Sequence, residues 1–347
     1  FKNHLSEDIL VKTDRSSMLN SVELRSPFLD VELVDFAFRK VPQSLKVSRS
    51  KRKILLQNLG KKMDQSLEMI LELLKLERLE VNLFRGQSPN EKRQRVFGGQ
   101  VLGQALMSAC YTVDDMFCHS FHSYFLRPGD PETPIIYEVD TARDGRSFAS
   151  RRIVAIQHGK QIFNMSASFQ RKEEGREHQM QMPYAPDPES LKSEHEMRAE
   201  NADKIPEAFR ESWLRRRPFE IRPVSPKDMF NPEPSEPRNI VWVKVDPGMP
   251  KDFATNQAML AYISDTSLLD TAMRPHALSY INPKLQSASL DHAMWFYHKF
   301  EANDWLLYVQ ESPASAGGRG MNFGHFFTRD GKLIATAAQE GLIRVRD

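Results

Sequence analysis

The sequence predicts an α+β protein in which one unit occurs twice, behind a short, mainly helical front segment. Each copy is expected to be a long helix wrapped by an antiparallel sheet. Two observations carry this. From Met63 onward, a helical pattern followed by a series of strand patterns recurs, and the two series align: PIIYEVDTARDGRSF with WLLYVQESPASAGGRG, and IVAIQHGKQIFNMSAS with FFTRDGKLIATAAQEG. Before Met63 the pattern is of another kind. Two units at this spacing argue for homologous domains side by side, because a solenoid needs at least three repeats.

Residues 1–62 come first. SSMLNSVELRSPFLDVELVDFAFRKVP sets Leu29, Leu33, Val34, Phe36 and Phe38 in a mainly helical pattern that Pro42 ends. The basic run KVSRSKRKILLQNLGKK reads as solvated surface or a helix end rather than a phosphate site. The first unit, 63–175, opens on an amphipathic helix carried by Leu67, Ile70, Leu71 and Leu74. Its long helix, RVFGGQVLGQALMSACYTV, holds Gly98, Gly99, Gly103 and Ala105. Glycine inside a helix costs about 1 kcal/mol against alanine, so close approach by wrapping elements is expected there. HSFHSYFL, PIIYEVDTARDG, RSFASRRIVAIQHG and KQIFNMSASFQ follow as strands, with RPGD at 127–130 as a turn and DG and HG as hairpin signals. Residues 176–217 are polar and broken by prolines, a linker expected to hold one solvated helix, with Arg215 to Arg217 on the surface. The second unit, 218–347, has NIVWVKVD as a strand, FATNQAMLAYISDTSLLDTAM as its long helix, and then four further strand patterns.

With 40% hydrophobic and 27% charged residues and a formal net charge of +2, the chain has the composition of a soluble globular protein. The balanced charge gives no electrostatic reason to expect nucleic acid. No apolar run approaches the roughly 20 residues that cross a bilayer. Cys110 and Cys118 are too few to staple such a chain and are read as buried, inert thiols of a reducing compartment, with cytoplasm the default. The start at Phe1, without a signal-peptide pattern, leads to the expectation that the chain begins inside a longer reading frame.

QSASLDHAMWFYH, residues 286–298, places Ser289, Asp291 and His292 within four positions and raises the question of a hydrolase triad. As one continuous strand it would send Ser289 and His292 to opposite faces. A nucleophile and its base must lie within hydrogen-bond reach, so the triad is rejected, and no Gly-x-Ser-x-Gly elbow surrounds Ser289. His292 is read as a structural histidine packed beside Trp295, and His119 and His122 likewise as structural. Met294, Trp295 and Phe296 are read as core. Two polar residues interrupt apolar surroundings: Asp265 in LAYISDTSLL and Gln339 in IATAAQEGLI. A buried carboxylate needs hydrogen-bond partners. Pattern alone leaves both a functional pair and an exposed helical Asp with an edge-strand Gln open.

LFRGQSP, RVFGGQVLGQAL, HSFHSYFLRPGD, SFASRRIVAIQHGKQIF, LDHAMWF and AAQEGLIR are the motifs through which residues 63–347 resemble the acyl-CoA thioesterase II (TesB) family. The resemblance implies a tandem, or double, hotdog fold and hydrolysis of fatty acyl-CoA thioesters to fatty acid and CoA. It also implies a catalytic trio of Asp265, Ser289 and Gln339 in the second hotdog, with Ser289 where many members carry Thr. Asp265 would be the general base toward water, and Ser289 and Gln339 would fix that water. The oxyanion would need backbone N–H donors near a hotdog helix. No cofactor, metal or covalent serine ester is implied. The first helix offers Gln100 and Gln104 in place of an Asp265 equivalent, so one chemical centre is expected. A contact from Arg215–Arg217 to a CoA phosphate is the lesser reading, and a homo-oligomer, dimer or tetramer, is expected by analogy.

Residues 1–62, through DILVKTDRSSMLNSVELRSPFLDVELVDFA with Asp14, Arg15 and Met18, resemble the C-terminal end of the asparagine synthetase synthetase domain. The Ser-Gly-Gly-x-Asp-Ser loop of that family is absent from the chain, so the segment is expected to be inactive and an ATP-dependent amide synthetase is excluded. A dehydratase of the same fold would need a histidine or acid against the substrate's α and β carbons. A non-catalytic acyl-CoA binder is the rival from another class.

Overall fold

A computed structural model describes residues 65–89 and 94–346. The front segment 1–62 lies outside the described residues. Asp64–Asp347 forms one compact unit. Its backbone runs α1 (Gln65–Leu74), β1 (Glu77–Glu80), β2 (Leu83–Gly86), α2 (Gly98–Cys110), β3 (Phe117–Phe125), β4 (Ile135–Asp144), β5 (Phe148–Gln157) and β6 (Lys160–Gln170). Then come α3 (Glu194–Glu200), α4 (Glu207–Leu214), β7 (Phe219–Pro223), β8 (Arg238–Val245), α5 (Phe253–Ser264) and α6 (Leu268–Met273). The chain finishes with β9 (Leu285–Ser289), β10 (Asp291–Phe296), β11 (Leu306–Ala316), β12 (Arg319–Thr328) and β13 (Leu333–Val345).

The 13 strands of the described residues form one antiparallel sheet, in the order β1-β2-β4-β5-β6-β3-β10-β13-β12-β11-β8-β7, with β9 beside β13. The order read outward from the β3–β10 junction is the same on both sides, which is the repeat seen in the sequence turned about that junction. Asp291 to Trp295 pair with Tyr124 to Ser120 across it.

α2 and α5 pack on each other and against the sheet, α2 on β3 to β6 and α5 on β3. Both are buried nearly all round, and their buried polar side chains, Gln100, Gln104, Asn256 and Gln257, donate to backbone carbonyls. They run antiparallel and touch backbone to backbone. A Cβ at Gly99 would fall 2.4 Å from the Tyr262 carbonyl oxygen, and one at Gly103 would fall 3.1 Å from that of Ala258. The glycines of α2 therefore serve helix-on-helix contact, more specific than the general wrapping the sequence suggested. Gln100 and Gln104 are structural. Gln104 donates to the Leu73 and Gln87 carbonyls (2.8 Å each) and accepts from the Tyr137 hydroxyl (2.8 Å), while Gln100 donates to the Gln87 carbonyl at 3.1 Å.

Residues 176–217 depart from expectation. They hold two short helices, α3 and α4, and the first carries a Ser193–Glu196 capping box. Nor is the segment simply solvated. Met182, Ala185 and Leu191 pack over Trp242, Leu307, Val309 and Phe327 on the outer face of the second half of the sheet. The Trp242 indole donates to the Pro186 carbonyl at 2.8 Å. Apolar residues on both faces of β8 and β11 require this cover, and scattered prolines and charges hid it. Arg215 and Arg216 are exposed, and Arg217 meets Glu194 at 3.2 Å.

Candidate active site

Asp265, Ser289 and Gln339 come from three separated elements and meet. Ser289 Oγ donates to Asp265 Oδ1 at 2.9 Å. Gln339 Nε2 donates to the same oxygen at 2.5 Å and lies 3.1 Å from Ser289 Oγ.

Asp265 is the C-cap residue of α5, an unfavourable place for a negative charge by that helix's own dipole. Antiparallel packing changes the balance by bringing the start of α2 alongside. A Cβ at Gly98 would lie 2.6 Å from Asp265 Oδ2, and the Gly99 N–H stabilises the carboxylate. Phe97, the N-cap of α2, supplies no side-chain cap, so that helix end is left to its neighbour. Burial pushes the Asp265 carboxyl up from 3.8 to about 6; Gln339, Ser289, the Gly99 N–H and Arg95 all pull the other way.

Ser289 and His292 do not point apart, contrary to the alternation expected of one continuous strand. Ser289 pairs with Gly341 and Ala293 with Ala338, so Leu290, Asp291 and His292 stand opposite only Gln339 and Glu340. The extra residue is a β-bulge, which reverses the alternation and turns Ser289 and His292 toward the same amide. Asp291 is spent on the bulge, accepting the Glu340 N–H at 2.6 Å. His292 is not beside Trp295, whose ring meets His122 (5.2 Å between centroids); it stacks on Phe121 instead. The rejection of a triad stands on other ground. Among the described residues no hydrogen bond joins Ser289 to His292, and Gln339 Nε2 stands between them.

His292 is fully buried, which holds its pKa down at about 3, so its ring is neutral. Nε2 lies 2.9 Å from Ser264 Oγ, whose own proton goes to the Ala261 carbonyl (2.9 Å). Nε2 must therefore carry the hydrogen, leaving Nδ1 as an acceptor 3.1 Å from Gln339 Nε2. His292 thus fixes which end of the Gln339 amide faces Asp265. His292→Leu should lower kcat roughly tenfold, the order expected for losing a buried hydrogen bond, with little change in KM. A fall in KM-controlled binding alone would contradict this role.

Asp265 and Ser289 line a cavity of about 450 Å³ whose walls include Val101, Phe125, Phe163 and Leu269. Gln339 is fully buried and does not line it. It reaches the cavity only through the other two, so its contribution is to position them. The larger cleft of about 1350 Å³ at the opposite helix ends, around Cys110 and Phe253, contains none of the three. Burial there pushes the Cys110 thiol up to about 12 and that of Cys118 well up, so both are poor nucleophiles.

Residues 87–170 match the family model of the acyl-CoA thioesterase N-terminal domain and residues 209–342 that of acyl-CoA thioesterase. Acyl-CoA thioesterase 2 of Haemophilus influenzae is 41% identical over 283 residues, which cover 81% of this chain and 99% of that protein. The chain belongs to the acyl-CoA thioesterase family. The crystal structure of acyl-CoA thioesterase II TesB2 from Mycobacterium marinum matches with a TM-score of 0.64 at 41% identity, over 80% of this chain and 99% of that one. A conserved hot dog fold protein from Alicyclobacillus acidocaldarius, 19% identical, matches with a TM-score of 0.65 over 80% of this chain and 99% of its own, which supports the fold alone. This acyl-CoA thioesterase is therefore an enzyme with a double hotdog fold. Its residues 1–63 match the asparagine synthase family model. No described helix is long and apolar enough to cross a membrane.

His292 and the Gly99 N–H were not found as parts of the site from the sequence. A bulge leaves no trace in composition, and a backbone donor has no side chain to read.

Proposed function

We propose that fatty acyl-CoA is hydrolysed by direct attack of a water molecule that Asp265 deprotonates. The observation that carries this reading is the convergence of Ser289 and Gln339 on one oxygen of a half-buried carboxylate beside an apolar cavity. A carboxyl with a pKa near 6 is basic enough to take a proton at neutral pH and is still ionised there. Ser289 holds Oδ1 and faces the cavity, where it can also orient the water. The Gly99 N–H is already given to Asp265, so the Gly98 N–H at the start of α2 is the donor we assign to the oxyanion. Fatty acid and CoA leave without a covalent intermediate.

Release of thiol from a series of acyl-CoAs tests the reading. Ser289→Thr, which keeps the hydroxyl, should retain turnover within a few-fold. Ser289→Ala should lose roughly ten- to a hundredfold in kcat, the scale of one charge-assisted hydrogen bond. Equal activity of the Ala and Thr variants would remove Ser289 from the site. The rival, a non-catalytic acyl-CoA binder, would release no thiol at all.

We assign residues 63–175 and 218–347 to the two hotdogs. Two unpaired cysteines support a reducing compartment such as the cytoplasm. A dimer or tetramer, through the sheet edges at β1 and β7, is our expectation for the assembly, and light scattering in solution checks it.

A further inference from the structure

Two arginines line the cavity that reaches Asp265 and Ser289: Arg95, just before α2, and Arg127, in the turn after β3. Both are exposed to solvent. Their surroundings differ from those of the ion-paired arginines in the fold. Arg85, Arg151, Arg198, Arg222, Arg319 and Arg329 each meet an Asp or Glu. Among the described residues, neither Arg95 nor Arg127 pairs with a carboxylate. Each is instead anchored on a backbone carbonyl, Arg95 Nη2 on Ser287 (2.7 Å) and Arg127 Nη1 on Gln161 (2.6 Å).

A guanidinium has five donors, so each arginine keeps most of its hydrogen-bonding capacity unspent. The anchors also place them. Ser287 lies on β9, two residues before Ser289, which ties Arg95 to the strand that carries the site. The Val96 N–H donates to the Gly129 carbonyl at 2.9 Å, joining the segment of Arg95 to the turn of Arg127. Among the described residues Asp265 is the single carboxylate in the cavity lining, and Arg95 is close enough to lower its pKa. Two cations at the rim of an apolar cavity with one anion at its reacting end suit a substrate that is apolar on one side of its reactive carbonyl and polyanionic on the other.

We propose that Arg95 and Arg127 form the subsite for the phosphates of CoA, leaving the apolar interior to the acyl chain. The assignment rests on the reading of this site as the place of thioester hydrolysis. Planar guanidinium forks match phosphate oxygens two at a time, and backbone anchoring lowers the entropy lost on binding.

The test compares two substrates with the same acyl group, an acyl-CoA and the corresponding acyl-pantetheine, which has no phosphate. Arg95→Gln and Arg127→Gln should each raise KM for acyl-CoA roughly tenfold or more, the order of a charge-assisted hydrogen bond. The ratio of kcat/KM for acyl-CoA to that for acyl-pantetheine should fall in the same proportion. In the unsubstituted enzyme this ratio should also shrink as ionic strength rises. Arg→Lys at either position should give an intermediate loss, because charge is kept and the fork is not. An unchanged ratio in both Gln variants would overturn the proposal, whether both substrates are slowed equally or neither is affected. Failure of the unsubstituted enzyme to turn over either thioester would instead overturn the hydrolysis on which the subsite rests.

Discussion

Asp265→Asn should lower kcat/KM by roughly a hundred- to ten-thousandfold, the range for loss of a general base, while leaving a non-hydrolysable acyl-CoA analogue bound. Asparagine keeps the shape and accepts from Ser289 and Gln339 through its oxygen, so the loss reports basicity rather than collapse of the site. In the unsubstituted enzyme kcat/KM should rise with unit slope and level off above about pH 6, where Asp265 becomes ionised. The variant should lack that limb. Stability should move the other way. The folded carboxyl titrates near 6 and the unfolded one near 3.8, so between those values the folded state binds more protons. Stability is therefore lost as pH rises through this window, and the loss is complete above about 6. The variant carries no such penalty and should melt higher at neutral pH, with the difference closing in acid. Thermal melts at the two ends of the window check this. Equal melting at neutral pH would mean that the carboxylate is not strained by burial.

Gly99→Val should be strongly destabilising. The new Cβ would lie 2.4 Å from the Tyr262 carbonyl oxygen and 2.5 Å from the Phe97 ring, and the first of these belongs to a helix backbone. The helices would have to separate, at about 3 kcal/mol or more given the usual cost of overpacking. Separation would also withdraw the start of α2 from Asp265, so activity should fall with stability. Gly103→Ala is the informative contrast. There the nearest atom is the Leu74 Cδ2 methyl at 2.8 Å, which can rotate away, and the Ala258 carbonyl is at 3.1 Å. Gaining alanine's helix propensity, about 1 kcal/mol, offsets part of the crowding. Denaturant midpoints should rank Gly99→Val far below Gly103→Ala. Similar midpoints would contradict the backbone contact as the reason for the glycines.

The fold was legible because it is repetitive. Alternating strands, DG and HG turns and the glycine-bearing helix each have a local signal, and the second copy repeats the order of helix and strands, though its helix carries no glycine. The trio was legible only in part. Asp265 and Gln339 stand out as polar residues in apolar runs, but residue pattern did not choose between site and surface; resemblance did. Strand alternation misled at Ser289 and His292 because one additional residue at Leu290–His292 reverses it, and nothing in LDHAMWF marks the bulge. The cover that residues 182–191 give the sheet was missed for a related reason. Its contacts are three dispersed apolar side chains and one carbonyl, which a reading weighted by charge and proline passes over.

In the proposed mechanism water, and no side chain, attacks the thioester. Intact-mass measurement on enzyme quenched during steady turnover of a long-chain acyl-CoA tests it most directly, read beside the time course of thiol release. Unmodified enzyme and thiol release without an initial burst are the predicted result. A mass gain equal to one acyl group on the peptide containing Ser289 or Asp265, with a burst near one thiol per enzyme, would contradict it.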